Sequence, residues 1–268
     1  MEQTIGFIGC GKMAQAIIQG LIHSKLVQPN NIIASAKTNK TRTHVQSTFN
    51  IQVDESNITV ANSSDIIILA VKPDLHKEVI DEIKGHTKPN AIIITIAAGI
   101  TLSFLETHFQ QKVKAIRVMP NTPSLVGEGM SAICANDYVD QEELTLVTNI
   151  FESIGRAEVM DEKLMDAIPA VSASSPAYVY MFIEALADGA VKQGIPRKQA
   201  YTLAAQAVLG AAKMVLETNQ HPGELKDNVC TPGGATIEAI EALEKTGFRA
   251  SVLTAMEACT KKSKGLSD

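Results

Sequence analysis

Through roughly the first 160 residues, short uninterrupted apolar runs alternate with stretches in which apolar residues recur every three or four positions. "IGFIG" (5–9) is a β run, and Met13, Ile17, Ile18, Leu21 and Ile22 then follow at helical spacing. "NNIIASA" predicts a second strand, "DIIILAV" (65–71) a third and "AIIITIAAG" (91–99) a fourth. "LHKEVIDEI" and "TLSFLETHF" read as the helices that follow the last two. "VKAIRVMPN" and "MSAICA" predict two more strands, and "DQEELTLVTNIFESIG" an amphipathic helix. Apolar runs with no polar interruption fit strands covered on both faces, which predicts a doubly wound parallel sheet.

After "RAEVM" (156–160) the pattern becomes helical almost throughout, over 161–194, 197–218 and 236–262. Gly194-Ile195-Pro196 and "NQHPGELKDNVCTPGG" divide these stretches, and Gly247 is expected to close the helix begun by "ATIEAIEAL". The boundary is placed at Met160. The expected architecture is α/β: a Rossmann-type dinucleotide-binding domain (1–160) followed by an all-α domain (161–268). Alanines crowd residues 185–212. Small residues at that density let helices approach closely, and a subunit interface is expected among them.

Composition acts mainly by exclusion. The chain has 268 residues, enough for one large or two ordinary domains, and is 45% apolar and 20% charged. A net charge of −5, no Trp and 4% aromatic residues leave no basic surface or stacking platform for nucleic acid. The longest charge-free runs, 89–105 and 167–183, fall short of the about 20 residues a membrane span needs and contain Gly99, or Pro169 and Pro176. The start "MEQTIGFIGC" has no basic n-region, so no signal peptide is expected. Cys10, Cys134, Cys230 and Cys259 show no paired spacing, which predicts reduced thiols, a cytoplasmic location and no metal site.

Two glycine turns carry the candidate chemistry. Gly9-x-Gly11-x-x-Ala14 follows a strand and opens a helix, the arrangement of a dinucleotide fingerprint. Its first glycine permits the tight turn, its second admits the pyrophosphate, and the helix start supplies N–H groups. A plain strand-to-helix turn is the alternative. No acid stands about 20 residues on, where NAD-binding sheets bind the ribose 2′-hydroxyl; after Glu2 the next is Asp54. Ser35, Lys37, Thr38 and Arg42 offer hydroxyls and cations to a 2′-phosphate instead, which favours NADPH over NADH. Lys37, Lys40 and Arg42 read equally as a solvated loop. Lys72-Pro73, "AAG" (97–99) and Asn121, held between two prolines, fall at predicted strand ends, as ligand-edge groups or as ordinary turns.

The second turn, "CTPGGATIEAI" (230–240), puts unpaired N–H groups and the hydroxyls of Thr231 and Thr236 at a helix start. On its residues alone it is a simple helix start or a small carboxylate or phosphate site. In its setting, "HPGELKDNVCTPGGATIEAIEALEKTGFRA" closely resembles the characteristic segment of the pyrroline-5-carboxylate reductase family. "GFIGCGKMAQAI", "SDIIILAVKP", "AAGI", "RVMPNTP", "SPAYVYMFIEALADGAVKQGIPR" and "AAQAVLGAAKM" resemble that family's landmarks in the same order.

The resemblance implies reduction of 1-pyrroline-5-carboxylate to L-proline with NAD(P)H, the last step of proline biosynthesis. It implies subunits paired through the helical domain, as homodimers or rings of dimers. The cofactor would contact Gly9, Gly11, Lys12 and Met13, then Ser35 and Asn57 near the adenosine ribose, with Lys37 beside them. Val71, Lys72, Pro73, Ala97 and Asn121 would lie toward the nicotinamide. The substrate would engage Asn228, Thr231, Gly233, Gly234, Ala235 and Thr236, with the Thr236 hydroxyl near the ring nitrogen as the catalytic group. Such a substrate can react as its protonated imine, which suits a pocket of hydroxyls and N–H groups without a strong general acid. One stretch departs from the family: Ala173 and Ser175 in "SASSPAY" stand where its "SGSGPAY"-type sequence carries glycine. The alternatives are a β-hydroxyacid-type dehydrogenase, using a helical lysine such as Lys192 or Lys213, and a non-catalytic NADP-binding regulator.

Overall fold

The computed structural model describes residues 1–265. Eight strands form one sheet, interleaved with helices: β1 (Ile5–Ile8), α1 (Lys12–His23), β2 (Ile32–Ser35), α2 (Asn39–Phe49), β3 (Gln52–Asp54), α3 (Asn57–Ser63), β4 (Ile66–Leu69) and α4 (His76–Ile83). β5 (Ile92–Thr95), α5 (Leu102–Phe109), β6 (Lys114–Met119), β7 (Gly129–Ala135), α6 (Gln141–Glu152) and β8 (Gly155–Val159) complete it. The strand order is β3-β2-β1-β4-β5-β6-β7-β8.

Every residue of β1, β2, β4 and β5 is buried. Successive side chains of a strand point to opposite faces, and two clusters divide them accordingly. Ile66, Ile68, Ile92 and Ile94 join α1 and α6 on one face through Ile17, Leu21, Ile150 and Phe151. Ile67, Leu69 and Ile93 join α4 and α5 on the other through Ile80, Ile83, Leu105 and Phe109. This is why the strands read as continuous Ile runs.

The expected all-parallel sheet needs correction. Strands β1 to β6 are parallel to their neighbours, but β7 runs antiparallel to β6, with Val118 opposite Ile133. Residues 120–128 alone join the two, and a parallel crossover needs a dozen or more. β8 is parallel to β7, across α6.

The helix expected over 161–194 is also interrupted. A 3-10 turn (Glu162–Leu164) and a π turn (Pro169–Ala173) precede α7 (Ser175–Lys192). Pro169 has no N–H to donate, and Pro176 fits only the first turn of a new helix. Then come α8 (Arg197–Thr218), α9 (Pro222–Val229), α10 (Ala235–Lys245) and α11 (Phe248–Lys264). α9 lies inside a stretch read as a divider. Gly247, at φ +78°, separates α10 from α11, so 236–262 is two helices.

By compactness the chain forms two units, Met1–Ser174 with the chain from Cys259 onward, and Ser175–Ala258. The strands cease at Val159, and the short turns that follow pack with the sheet: Met165 is fully buried in its second cluster. Among the described residues, no helix is long and apolar enough to cross a membrane.

Candidate active site

The strand order reverses between β1 and β4, so the loops leaving them part to opposite sides and open a crevice at the C-terminal edge. Gly9 leaves β1 with φ +87°, and a Cβ there would lie 2.9 Å from both the Ala70 carbonyl oxygen and Val71 Cγ1. The Gly9 turn and the start of "VKP" therefore meet directly. Gly11 has the opposite environment. It precedes α1 with ordinary backbone angles and no side-chain cap, and a Cβ would meet nothing within 4 Å. Open space beside uncapped helix N–H groups is what a pyrophosphate requires, so these residues fit a dinucleotide. Lys12 is exposed at this helix start and Met13 half-buried. Between the glycines, burial pushes the Cys10 thiol up to about 12, leaving it a protonated filler.

Ser35 and Asn57, the two residues assigned to the adenosine ribose, meet each other inside the fold. Ser35 is buried, and its hydroxyl donates to Asn57 Oδ1 at 2.6 Å while accepting a long bond from the Gly9 N–H at 3.4 Å. Asn57 Nδ2 in turn donates to Glu82 Oε2 at 2.7 Å. The chain of bonds braces the first glycine turn. The stretch 37–42, open to reading as a loop, starts α2, with Thr38 accepting from the Thr41 N–H as its cap. Arg42 donates to the Ala36 and Lys37 carbonyls at 2.9 and 3.1 Å and faces Glu55 at 3.3 Å. Lys37 and Lys40 are exposed.

Lys72 and Pro73 are exposed beyond β4, and Ala97 is buried beyond β5. The amide of Asn121 works within the fold: Nδ2 donates to the Ser172 carbonyl and Oδ1 accepts from the Met130 N–H, both at 2.9 Å. That is the structural alternative left open for it. His76, Thr95 and Arg117 are buried polar residues at this part of the sheet that the sequence reading did not single out. The signal existed for His76, which shares the apolar helical spacing of Val79, Ile80 and Ile83.

The second turn lies in the helical unit. Gly234 precedes α10 with no side-chain cap, leaving the N–H groups of its first turn unpaired by any cap. Gly233 has φ +69° with open space around it, whereas a Cβ on Gly234 would fall 2.3 Å from Thr231 Oγ1. The Gly234 N–H donates to the Thr231 carbonyl at 2.9 Å. Glycine at 234 thus lets the Thr231 hydroxyl sit over the helix start. Thr236 is half-buried on the first turn of α10, Ala235 is exposed, and Asn228 is exposed on α9.

The pyrroline-5-carboxylate reductase of Escherichia coli (strain K12) is 49% identical over 267 residues, covering 100% of this chain and 99% of its own. The chain belongs to the pyrroline-5-carboxylate reductase family. Its residues 162–266 match the profile described as pyrroline-5-carboxylate reductase dimerisation, and residues 4–99 that described as NADP oxidoreductase coenzyme F420-dependent. A solved pyrroline-5-carboxylate reductase from Coxiella burnetii superposes with a TM-score of 0.94 at 33% identity, covering 100% of both chains. The Plasmodium falciparum pyrroline carboxylate reductase, solved with NADP bound, gives 0.88 at 36% identity, again over 100% of both.

Within this reductase family framework, the departure at 173–175 has a simple backbone explanation. Neither Ala173 nor Ser175 has a positive φ, so neither position demands glycine here. Ala173 packs partly against the second core cluster, and Ser175 begins α7.

Proposed function

We propose that the chain is an NADPH-dependent pyrroline-5-carboxylate reductase that reduces the C=N bond of 1-pyrroline-5-carboxylate to give L-proline. The observation that carries this reading is the pair of uncapped glycine turns, one on each unit, each suited to a different anion. When bound, NADPH supplies the hydride. Gly9, Gly11, Lys12 and Met13 hold its pyrophosphate, and Ser35 and Asn57 brace that turn below the adenosine ribose. Lys37, exposed and without an acidic neighbour in sequence, favours a 2′-phosphate. Val71, Lys72, Pro73 and Ala97 border the nicotinamide, and Asn121 contributes through the turn it braces.

The substrate's carboxylate binds the N–H groups of Ala235 and Thr236 with the Thr231 hydroxyl, on the turn that Gly234 closes, where the positive end of α10 favours an anion. Asn228 and Gly233 complete this cradle. The Thr236 hydroxyl holds the ring nitrogen, whose protonated form makes the imine carbon electrophilic. Fixing the carboxylate and the nitrogen together orients the ring, so that positioning carries much of the rate.

Thr236→Ala is expected to lower kcat/KM for the imine by about tenfold, the worth of one hydrogen bond to a charged group, with Thr236→Ser restoring most of it. Steady-state NADPH oxidation with added imine is the test. Unchanged kinetics in the alanine variant would remove that hydroxyl from the reaction, and no imine-dependent oxidation by the parent protein would remove the whole reading.

Oligomers form through the helical unit, as homodimers or rings of dimers. Tyr180 and Met181 of α7 and Leu203, Leu209 and Leu216 of α8 are all more than half exposed on the single chain. An apolar surface of that extent on two packed helices calls for a covering copy. Sedimentation should give a mass that is a multiple of the chain's, and a monomer at micromolar concentration would contradict this. The protein acts in the cytoplasm.

A further inference from the structure

The fold ties two loops of the sheet edge together through a buried imidazole. His76, the first residue of α4, is fully buried. Its Nδ1 lies 3.0 Å from the Lys72 carbonyl oxygen and its Nε2 3.0 Å from Thr95 Oγ1. A carbonyl only accepts, so Nδ1 carries the proton. Burial holds the ring's pKa below the usual imidazole value, against the opposing pull of the Lys72 carbonyl and Asp74, so the ring is neutral and Nε2 accepts. The Thr95 hydroxyl must therefore donate to Nε2, which leaves its lone pairs for the Ala97 N–H, 3.3 Å away.

Every bond then runs one way: from the Ala97 amide to Thr95, from Thr95 to His76, and from His76 to the Lys72 carbonyl. Lys72 follows β4 and Ala97 follows β5, which are parallel neighbours with Leu69 paired to Thr95. One long backbone bond follows that pair, from the Ile96 N–H to the Leu69 carbonyl at 3.4 Å, and beyond it the side-chain relay takes over the spacing of the two loops.

We propose that His76 and Thr95 are positioning residues for the cofactor, a clip that fixes the 72–73 and 97–99 loops at the spacing that admits the nicotinamide. This rests on the assignment of Lys72 and Ala97 to the cofactor. Neither side chain touches the cofactor in this scheme; each acts through the backbone it holds. The clip spares the loops from having to order when the dinucleotide arrives, and a pre-organised site binds more tightly than one that must be ordered.

The test measures NADPH binding directly by isothermal titration calorimetry, alongside imine reduction and thermal melting. Thr95→Val removes the hydroxyl while keeping the shape, and Thr95→Ser keeps the hydroxyl. His76→Leu breaks the clip from the other side, and His76→Asn retains the donor to Lys72 alone. Thr95→Val and His76→Leu should each raise the Kd for NADPH by roughly five- to tenfold, with kcat at saturating cofactor falling less. Thr95→Ser should bind like the parent protein. Combining the two disruptive changes should give little beyond either alone, since both cut one relay.

A Kd within twofold of the parent in Thr95→Val would overturn the proposal, and so would equal weakening by Thr95→Ser and Thr95→Val. Should His76→Leu fail to fold, the threonine pair still decides the matter. Lower melting temperature with unchanged Kd would reduce the clip to a packing device. Failure of the underlying assignment looks different: the parent protein itself would bind no NADPH.

Discussion

Gly11→Val is expected to weaken NADPH binding by more than about a hundredfold while leaving the melting temperature of the protein unchanged. The two halves of this result come from the same geometric fact. A Cβ on Gly11 meets no protein atom within 4 Å, and the residue sits at φ −75° and ψ −175°, which valine adopts readily. The fold has no reason to resist the substitution. The open space it fills is the approach to the N–H groups at the start of α1, where the pyrophosphate is proposed to sit. Hydrogen bonds to a charged group contribute about 1.5–3 kcal/mol each, so losing two reaches the stated loss.

Gly9→Ala should behave otherwise. With φ +87° and a Cβ 2.9 Å from the Ala70 carbonyl, it should lower both melting temperature and affinity. Calorimetry and a thermal melt on the two variants separate the roles of the two glycines. NADPH binding by Gly11→Val within fivefold of the parent would place the pyrophosphate elsewhere.

The sheet was legible in the sequence where strands are buried on both faces, because an uninterrupted "IIIL" or "IIIT" leaves few other options. What escaped was marginal in burial. β3 is a three-residue edge strand with no buried residue, and α2 buries only Val45, so neither carries a clear period. α3 has seven residues, too few for periodicity to speak; its start is marked by Ser56, whose side chain accepts from the Thr59 N–H. The antiparallel β7 was readable in principle from the short connection 120–128, since connection length rather than strand composition decides direction there.

For the candidate site, the glycine turns were legible because their backbone demands restrict residue type. The bonds that brace them were not. Ser35 and Asn57 lie 22 residues apart and Asn121 and Ser172 lie 51 apart, and only folding brings each pair together. The same holds for Lys72, His76 and Thr95, whose relay depends on two strands being neighbours. A family resemblance supplied the functional reading of 231–236, which the residues alone left open between an anion site and a plain helix start.

Asp166→Ala is expected to cost about 3 kcal/mol of stability, more than the loss of the arginine it pairs with. Arg117, on β6, is 2% exposed, and its Nη2 donates to Asp166 Oδ1 at 2.7 Å. Its Nη1 is 3.7 Å from Glu162 Oε1, an oxygen that also accepts the Leu102 N–H at 2.7 Å. Removing Asp166 leaves a buried guanidinium with only the longer contact, and an uncompensated buried cation is the costly case. In Arg117→Met the thioether fills the space of the stem, while the two carboxylates, 29% and 34% exposed, can turn to water. That substitution should cost less, about 1–2 kcal/mol.

Urea unfolding of the two variants tests the order, with melting temperature falling by about 6–12 °C for Asp166→Ala. An equal or reversed order would mean the ion pair does not anchor the turn. Lys245 and Glu241 provide the contrast: their 2.6 Å contact lies on exposed α10, and breaking it should change stability by only about 0.3–0.5 kcal/mol. The difference lies in burial rather than distance. Arg117 is opposite Cys134 of β7 in the antiparallel pair, so its charge network locks the 162–166 segment onto the part of the sheet where strand direction reverses. The junction between the last strand and the following helical turns is thus held by this buried charge as well as by the packing of Met165.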